Sequence, residues 1–122
     1  HKWIKFSPDF LECLEEGCDE YCKLGEVKSP VDVSIHMATL YRGMDQDHKA
    51  QTQGGLMVSG LRCGVFLSYH ASFKSSEQLY NQPFERDESY IATLESACFD
   101  ILEHVKNGTI PKAATHSLPK LF

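Results

Sequence analysis

The chain has 122 residues, of which 42% are hydrophobic and 24% charged, the composition of one ordinary globular domain. Its 12 Lys and Arg residues stand against 17 Asp and Glu residues, and the net charge of −5 excludes a broad basic surface for nucleic acid or for an anionic membrane. No apolar stretch approaches the roughly 18 residues that a membrane span requires, and the N-terminus has no apolar signal core. We therefore expect a soluble intracellular protein, cytoplasmic or nuclear, with no membrane partner, in which any phosphate binding is local.

The five cysteines favour reduced thiols over a metal site. An odd number cannot all pair within one chain, and a domain of this size does not depend on cross-links, which fits a cytoplasmic or nuclear protein. Cys13, Cys18 and Cys22 lack the CxxC unit of common zinc sites, so structural zinc is the weaker alternative.

The first third of the chain predicts two paired strands. The apolar run 3–6 indicates a strand that Ser7-Pro8 ends, which places Asp9 at a strand end. The acidic stretch 12–20 indicates an exposed connection, and 21–27 a second strand antiparallel to the first. The following segment, 31–41, is ambiguous between a short helix and an irregular crossover.

The middle of the chain predicts a helix and two neighbouring strands. The helix covers 45–59, with Asp45 or Asp47 as its N-cap, and its two central glycines at 54–55 indicate a close packing contact. The continuous apolar run 63–69 is typical of an interior strand, with 78–84 as its neighbour.

The last part of the chain predicts a long helix over 87–106, closed by Asn107-Gly108. Its apolar stripe at helical spacing is Tyr90, Leu94, Ala97, Ile101 and Val105. The fold class is α/β (α+β), with a mixed central sheet and flanking helices. We expect a core over 1–110 and a C-terminal tail over 111–122.

Two acids and a lysine from the predicted strands carry the chemistry. Glu26 and Lys28 project from the same face of the second strand, and Asp9 reaches that side if the two strands pair. Two converging carboxylates repel one another unless a cation lies between them, and such oxygen ligands suit Mg²⁺ or Mn²⁺. On the next helix, Gln51 and Gln53 differ by about 200° of rotation, so one of them at most faces the site.

Five segments in order carry a family resemblance: SPDFL, LGEVKSP, HKAQTQGGLMVSG, CGVFLSY and FERDESYIATL. They resemble the lambda exonuclease and YqaJ recombinase group of the PD-(D/E)xK nuclease superfamily. The resemblance runs from Ser7 to about Val105. It implies a restriction-endonuclease-like core, here expected to lack the family's usual N-terminal helical segment.

The resemblance further implies a metal-dependent deoxyribonuclease, an exonuclease of the phage recombination type. By its motifs, Asp9, Glu26 and the carbonyl of Val27 would bind Mg²⁺ (or Mn²⁺), Lys28 would orient the attacking water, and Gln51 would lie beside it. Candidate contacts to the DNA partner are Gln53, Lys49 and Arg42.

The chain also departs from the family pattern. His48 stands where the family prefers Tyr, and Gly64 replaces a common acidic residue. With the N-terminal segment expected to be missing, a homo-oligomer or a partner segment would complete the site. The alternative function is a catalytically degenerate nuclease fold that acts as a DNA-binding or assembly module.

Overall fold

The computed structural model of the protein describes residues 3–13 and 21–111. In these ranges four strands form one sheet in the order β1–β2–β3–β4. The strands are β1 Phe10–Cys13, β2 Tyr21–Lys28, β3 Cys63–Tyr69 and β4 Leu79–Glu85. The helices are α1 Val33–Arg42, α2 Lys49–Ser59 and α3 Glu88–Asn107, and one 3-10 turn, Gln46–His48, leads into α2. β2 and β3 are parallel and the outer pairings are antiparallel, which confirms the mixed sheet with flanking helices.

The connection between the two parallel strands is helical. A parallel pair needs a long crossover, and α1, the 3-10 turn and α2 supply it. The Asp32 carboxylate caps α1 by accepting a hydrogen bond from the Ser34 N–H at 2.8 Å. Gly43, with φ +84°, ends α1 and donates to the Thr39 carbonyl at 2.8 Å. The ambiguous segment 31–41 is therefore mostly helix.

The prediction for the first strand is wrong in position. Residues 4–8 belong to no strand or helix, and β1 starts after Asp9, at Phe10. Ile4 and Phe6 instead pack against the core, which explains their apolar alternation without a ladder. The predicted connection 12–20 is also wrong at its start, because Glu12 belongs to β1; residues 14–20 lie outside the described residues.

The predicted helix 45–59 divides into the 3-10 turn and α2. Asp45 caps the turn by accepting from the Asp47 N–H at 2.9 Å, so Asp45 and not Asp47 has the capping role. The close packing contact expected at the central glycines is found at Gly55. A Cβ there would lie 2.5 Å from Cζ of the Phe6 ring, a separation that real contacts do not show.

Helices α1 and α2 pack against one face of the sheet, and α3 packs against α2. The core lies between the helices and the sheet. Its buried members are Leu24, Leu56, Met57, Phe66, Phe84 and Ile91. The buried face of α3 differs from the predicted stripe, since Ile91 is its buried residue while Ile101 and Val105 are 55% and 70% exposed. Within the described ranges, no helix has the length and apolar character needed to cross a membrane. Residues 112–122, most of the predicted tail, lie outside the described residues.

Candidate metal and active site

The C-terminal half of β2 presents a carboxylate and an ammonium group to the side of the sheet that the helices cover. Glu26 and Lys28 share this face with Leu24, whose side chain is fully buried. The Glu26 residue is 3% exposed, which is unusual for a carboxylate unless it is paired. Its partner is Lys28, whose Nζ donates to Glu26 Oε1 at 2.5 Å.

Gln51, in the first turn of α2, completes a closed triangle with these two side chains. Its Nε2 donates to Glu26 Oε1 at 2.6 Å, and its Oε1 accepts from Lys28 Nζ at 3.0 Å. Each of the three side chains therefore bonds to both others. This fixes the orientation of the Gln51 amide and leaves Glu26 Oε2 without a bond to a described residue. Of the two glutamines of α2, Gln51 is the one that reaches the acid and the lysine.

Asp9 lies at the sheet edge, just before β1 begins. Its backbone N–H donates to the Gly25 carbonyl at 3.1 Å, and its Oδ2 accepts from the Val27 N–H at 2.7 Å. In a strand the N–H and C=O of one residue point to the same side, so the Val27 carbonyl faces the edge where Asp9 lies. Phe10 pairs with Gly25, so Asp9 projects on the same face as Glu26.

This donor set fits a hard divalent cation. Two carboxylates and one backbone carbonyl provide the oxygen ligands that Mg²⁺ and Mn²⁺ prefer. Among residues 3–13 and 21–111, no group of three or more His, Cys, Asp or Glu side chains is placed to hold a metal. The same finding bears on zinc: Cys13 and Cys22 form no such group with described residues, and Cys18 lies outside them.

Gln53 faces away from the site and has a structural position. It is 4% exposed, its Nε2 donates to the Glu85 carbonyl at 2.8 Å, and its Oε1 accepts from the Asp87 N–H at 2.9 Å. Both ends of the amide thus join α2 to the turn between β4 and α3. A DNA contact by this amide would break these bonds.

The two basic candidates differ in availability. Lys49 Nζ donates to Asp87 Oδ2 at 3.0 Å and lies 4.6 Å from the centre of the Tyr90 ring. Arg42, at the end of α1, is exposed and makes no hydrogen bond or ion pair with another described residue. Arg42 is therefore free to meet an anion, whereas Lys49 would have to leave Asp87.

Asp87 is itself held as an anion at the start of α3. Its pKa is lowered from 3.8 to about 2, first by the hydrogen bond from the Tyr90 N–H and then by those from the Lys49 ammonium and the Ser89 hydroxyl. The pKa of Asp32, the cap of α1, is likewise lowered by its hydrogen bonds from Ser34. Both carboxylates serve as helix caps rather than as site residues.

The burial of a histidine on α1 was not predicted from the sequence. His36 of α1 is fully buried, with Nδ1 2.8 Å from Ser68 Oγ and Nε2 2.9 Å from the Glu77 carbonyl. Because a carbonyl only accepts, the ring donates from Nε2 to the Glu77 carbonyl. Ser68 is the register partner of Lys28. The available signal was a serine at an inward position of an otherwise apolar strand.

Among solved structures, the fold is similar to that of an alkaline exonuclease (LHK-Exo) from Laribacter hongkongensis, with a TM-score of 0.66 at 23% sequence identity. Over the matched part of its length, the chain shares the fold of this alkaline exonuclease. A structure of LHK-Exo in complex with dAMP gives the same TM-score at 24% identity, and both matches cover 71% of this chain and 45% of the exonuclease chain. No family model and no curated protein matches the sequence. The resemblance named from the sequence is thus confirmed for the fold.

Proposed function

We propose that the chain is a divalent-metal-dependent nuclease that hydrolyses phosphodiester bonds of DNA, as an exonuclease of the phage recombination type. One observation carries this proposal: the buried Glu26 carboxylate is bonded to both Lys28 and Gln51. Asp9 is hydrogen-bonded to the backbone of the same strand, at the Val27 N–H. The fold shared with LHK-Exo supports it, because that protein is an exonuclease. The match spans 45% of the LHK-Exo chain, so the activity is proposed for this chain from its own residues.

Asp9, Glu26 and the Val27 carbonyl are the groups that would hold Mg²⁺ or Mn²⁺. Bound there, a divalent ion makes water more acidic and neutralises the charge that builds on the phosphate. The acidic character of the protein is compatible with this role, because the cation reverses the local sign of the carboxylate pair.

Lys28 is the residue proposed to position the attacking water. A lysine ammonium has three N–H donors, and two of them are used by Glu26 Oε1 and Gln51 Oε1. The third is left for a water or a phosphate oxygen. Because Gln51 bonds to both neighbours, it keeps the ammonium next to the acid, which is the kind of preorganisation that lowers a reaction barrier.

The proposal is tested with end-labelled duplex DNA and Mg²⁺. We expect Glu26→Gln and Lys28→Ala to lower the cleavage rate by about 100-fold or more, the usual effect of removing a group that acts in the transition state. The matched controls are Glu85→Gln, at the exposed last residue of β4, and Lys74→Ala, at an exposed residue in the loop between β3 and β4; both should cleave like the wild type. Equal cleavage by all four folded variants would remove Glu26 and Lys28 from the mechanism.

One observation favours a second function, a degenerate nuclease fold that binds DNA or assembles without cutting it. Two carboxylates project on the same face at this edge of the sheet, and the described residues contain no group of three or more metal-binding side chains. Calorimetry with Mn²⁺ separates the two functions. A nuclease site should bind the ion in a manner that Asp9→Asn and Glu26→Gln abolish, whereas a degenerate module should bind DNA without that dependence. Sedimentation of the same sample would show whether the chain forms a homo-oligomer, the state required for a second copy to bring a further carboxylate to the site.

A further inference from the structure

A cavity of about 430 Å³ lies between α1 and the 3-10 turn, beside the proposed active site. Its polar lining residues are Ser34, Thr39, Arg42, Asp45, Gln46 and His48. Two links place it next to the site. His48 precedes Gln51 by three residues, about one helical turn, and its ring stacks on Phe66, the register partner of Glu26.

The cavity combines a cation and an aromatic ring. Arg42 is exposed and bonds to no described residue, so its guanidinium is available for a phosphate. The His48 ring lies 5.5 Å from the Phe66 ring, centre to centre, at an interplanar angle of 27°. Phe66 is 1% exposed and covers one side of the imidazole, and the half-exposed remainder lines the cavity.

The charges around the cavity favour an anion on the Arg42 side. The ten residues of α1 include no Asp or Glu, although the whole chain has 17 of them. The acid that lines the cavity is Asp45, whose Oδ1 is bonded to the Asp47 N–H as a cap. A phosphate would therefore bind at the end of α1, and an uncharged group would lie nearer the 3-10 turn.

We propose that this cavity binds the nucleotide next to the scissile phosphate, with Arg42 on a phosphate group of that nucleotide and its base stacked on the His48 ring. The volume is within the range of small-ligand pockets, and histidine is one of the rings on which unpaired bases stack. The subsite rests on the proposed nuclease function and deepens it: the strand beside the cleaved bond is bound with its base unpaired.

The test is equilibrium binding of a short fluorescein-labelled single-stranded DNA in EDTA, measured over a range of salt concentrations, so that binding is separated from cleavage. Arg42→Ala should weaken binding about tenfold, as expected for a lost charged hydrogen bond, and should reduce the slope of log K against log salt by about 0.7. Arg62→Ala is the matched control, since Arg62 is an exposed arginine just before β3, at the opposite end of the sheet from Lys28. It should match the wild type.

The ring is tested by a pair of substitutions at His48. His48→Ala should weaken binding about tenfold with an unchanged salt slope, because a stacked base contributes little charge. His48→Phe keeps a flat ring on Phe66 and should retain binding. Urea unfolding of each variant shows whether it is folded, and Arg42→Ala tests the proposal independently of any effect of His48 on stability.

Each outcome decides a separate statement. Equal weakening by Arg42→Ala and Arg62→Ala, equal weakening by both His48 variants, or no binding by the wild type would overturn the subsite. If the variants behave as expected but the wild type cleaves no DNA with Mg²⁺, the cavity stands as a nucleotide-binding site and the proposed nuclease function fails.

Discussion

Gly25, directly before Glu26, offers a sharp test of how Asp9 is held at the sheet edge. The Phe10 ring lies over this glycine, and a Cβ added to Gly25 would be 2.0, 2.1 and 2.4 Å from three atoms of that ring. Ordinary van der Waals contact begins near 3.4 Å, so the ring would have to move by 3.4 − 2.0 = 1.4 Å. Phe10 is the residue after Asp9, and the movement would be transmitted to that carboxylate.

The expected cost follows from two opposing effects. Overpacking a contact of this kind costs about 1–3 kcal/mol, and Gly→Ala in a strand gains about 0.5–1 kcal/mol from the lower entropy of the unfolded chain. Because the half-buried ring has room to move on the open sheet face, we expect Gly25→Ala to lower the free energy of unfolding by about 1–2 kcal/mol. In a Phe10→Ala background the clash is absent, and the same substitution should raise it by about 0.5–1 kcal/mol.

Urea unfolding of the wild type, both single variants and the double variant gives the coupling energy between the two positions. A change of sign between the two backgrounds is the expected result. If Gly25→Ala destabilises both backgrounds equally, the ring is not the cause. Calorimetry with Mn²⁺ on the same variants would then measure the effect on the proposed metal site, where Gly25→Ala should weaken binding through Asp9.

Two further predictions concern the junction of α2 with α3. Gln53→Ala removes both hydrogen bonds of a buried amide and should lower the free energy of unfolding, measured in urea, by about 2–3 kcal/mol. Gln46→Ala, at an exposed position, should leave the free energy of unfolding unchanged. Equal values for the two variants would contradict the structural role of Gln53. The lowered pKa of Asp87, about 2 against 3.8, means that its anion stabilises the fold fully above pH 3.8 and that this contribution is lost as the pH falls towards 2. Acid titration of stability should therefore be shallower between these pH values for Asp87→Ala than for the wild type, and identical slopes would refute this.

The sequence allowed the regular elements with strong local signals to be predicted. The long helix α3 was predicted within a residue or two of both ends, because Asp87 and Gly108 are local capping signals. The segment 63–69 was predicted from its continuous apolar run, which an interior strand requires. The position of Glu26 and Lys28 on one face of β2 was likewise predictable, since residues two apart in a strand project to the same side.

The parts that were missed depend on contacts between distant segments. Ile4 and Phe6 alternate like a strand, but Phe6 is apolar because it packs on Gly55, and the ladder starts later, at Phe10. His36 is buried and hydrogen-bonded to Ser68, 32 positions away in sequence, and no local pattern marks that pair. The buried face of α3 was also not predictable from the sequence. Two overlapping apolar stripes of this helix have the helical period, and packing against the rest of the protein selects one of them.

The two carboxylates of the site are positioned by different physical means, and this bears on their sensitivity to change. Glu26 is held inside the protein by two side chains, and its burial strengthens these bonds. Asp9 is exposed, and the hydrogen bonds described for it run to the backbone of Gly25 and Val27. Anything that shifts β1 against β2 therefore moves Asp9 while the triangle around Glu26 persists. The affinity of the proposed metal site should consequently respond to packing at the sheet edge even when the side chains of the triangle are unchanged.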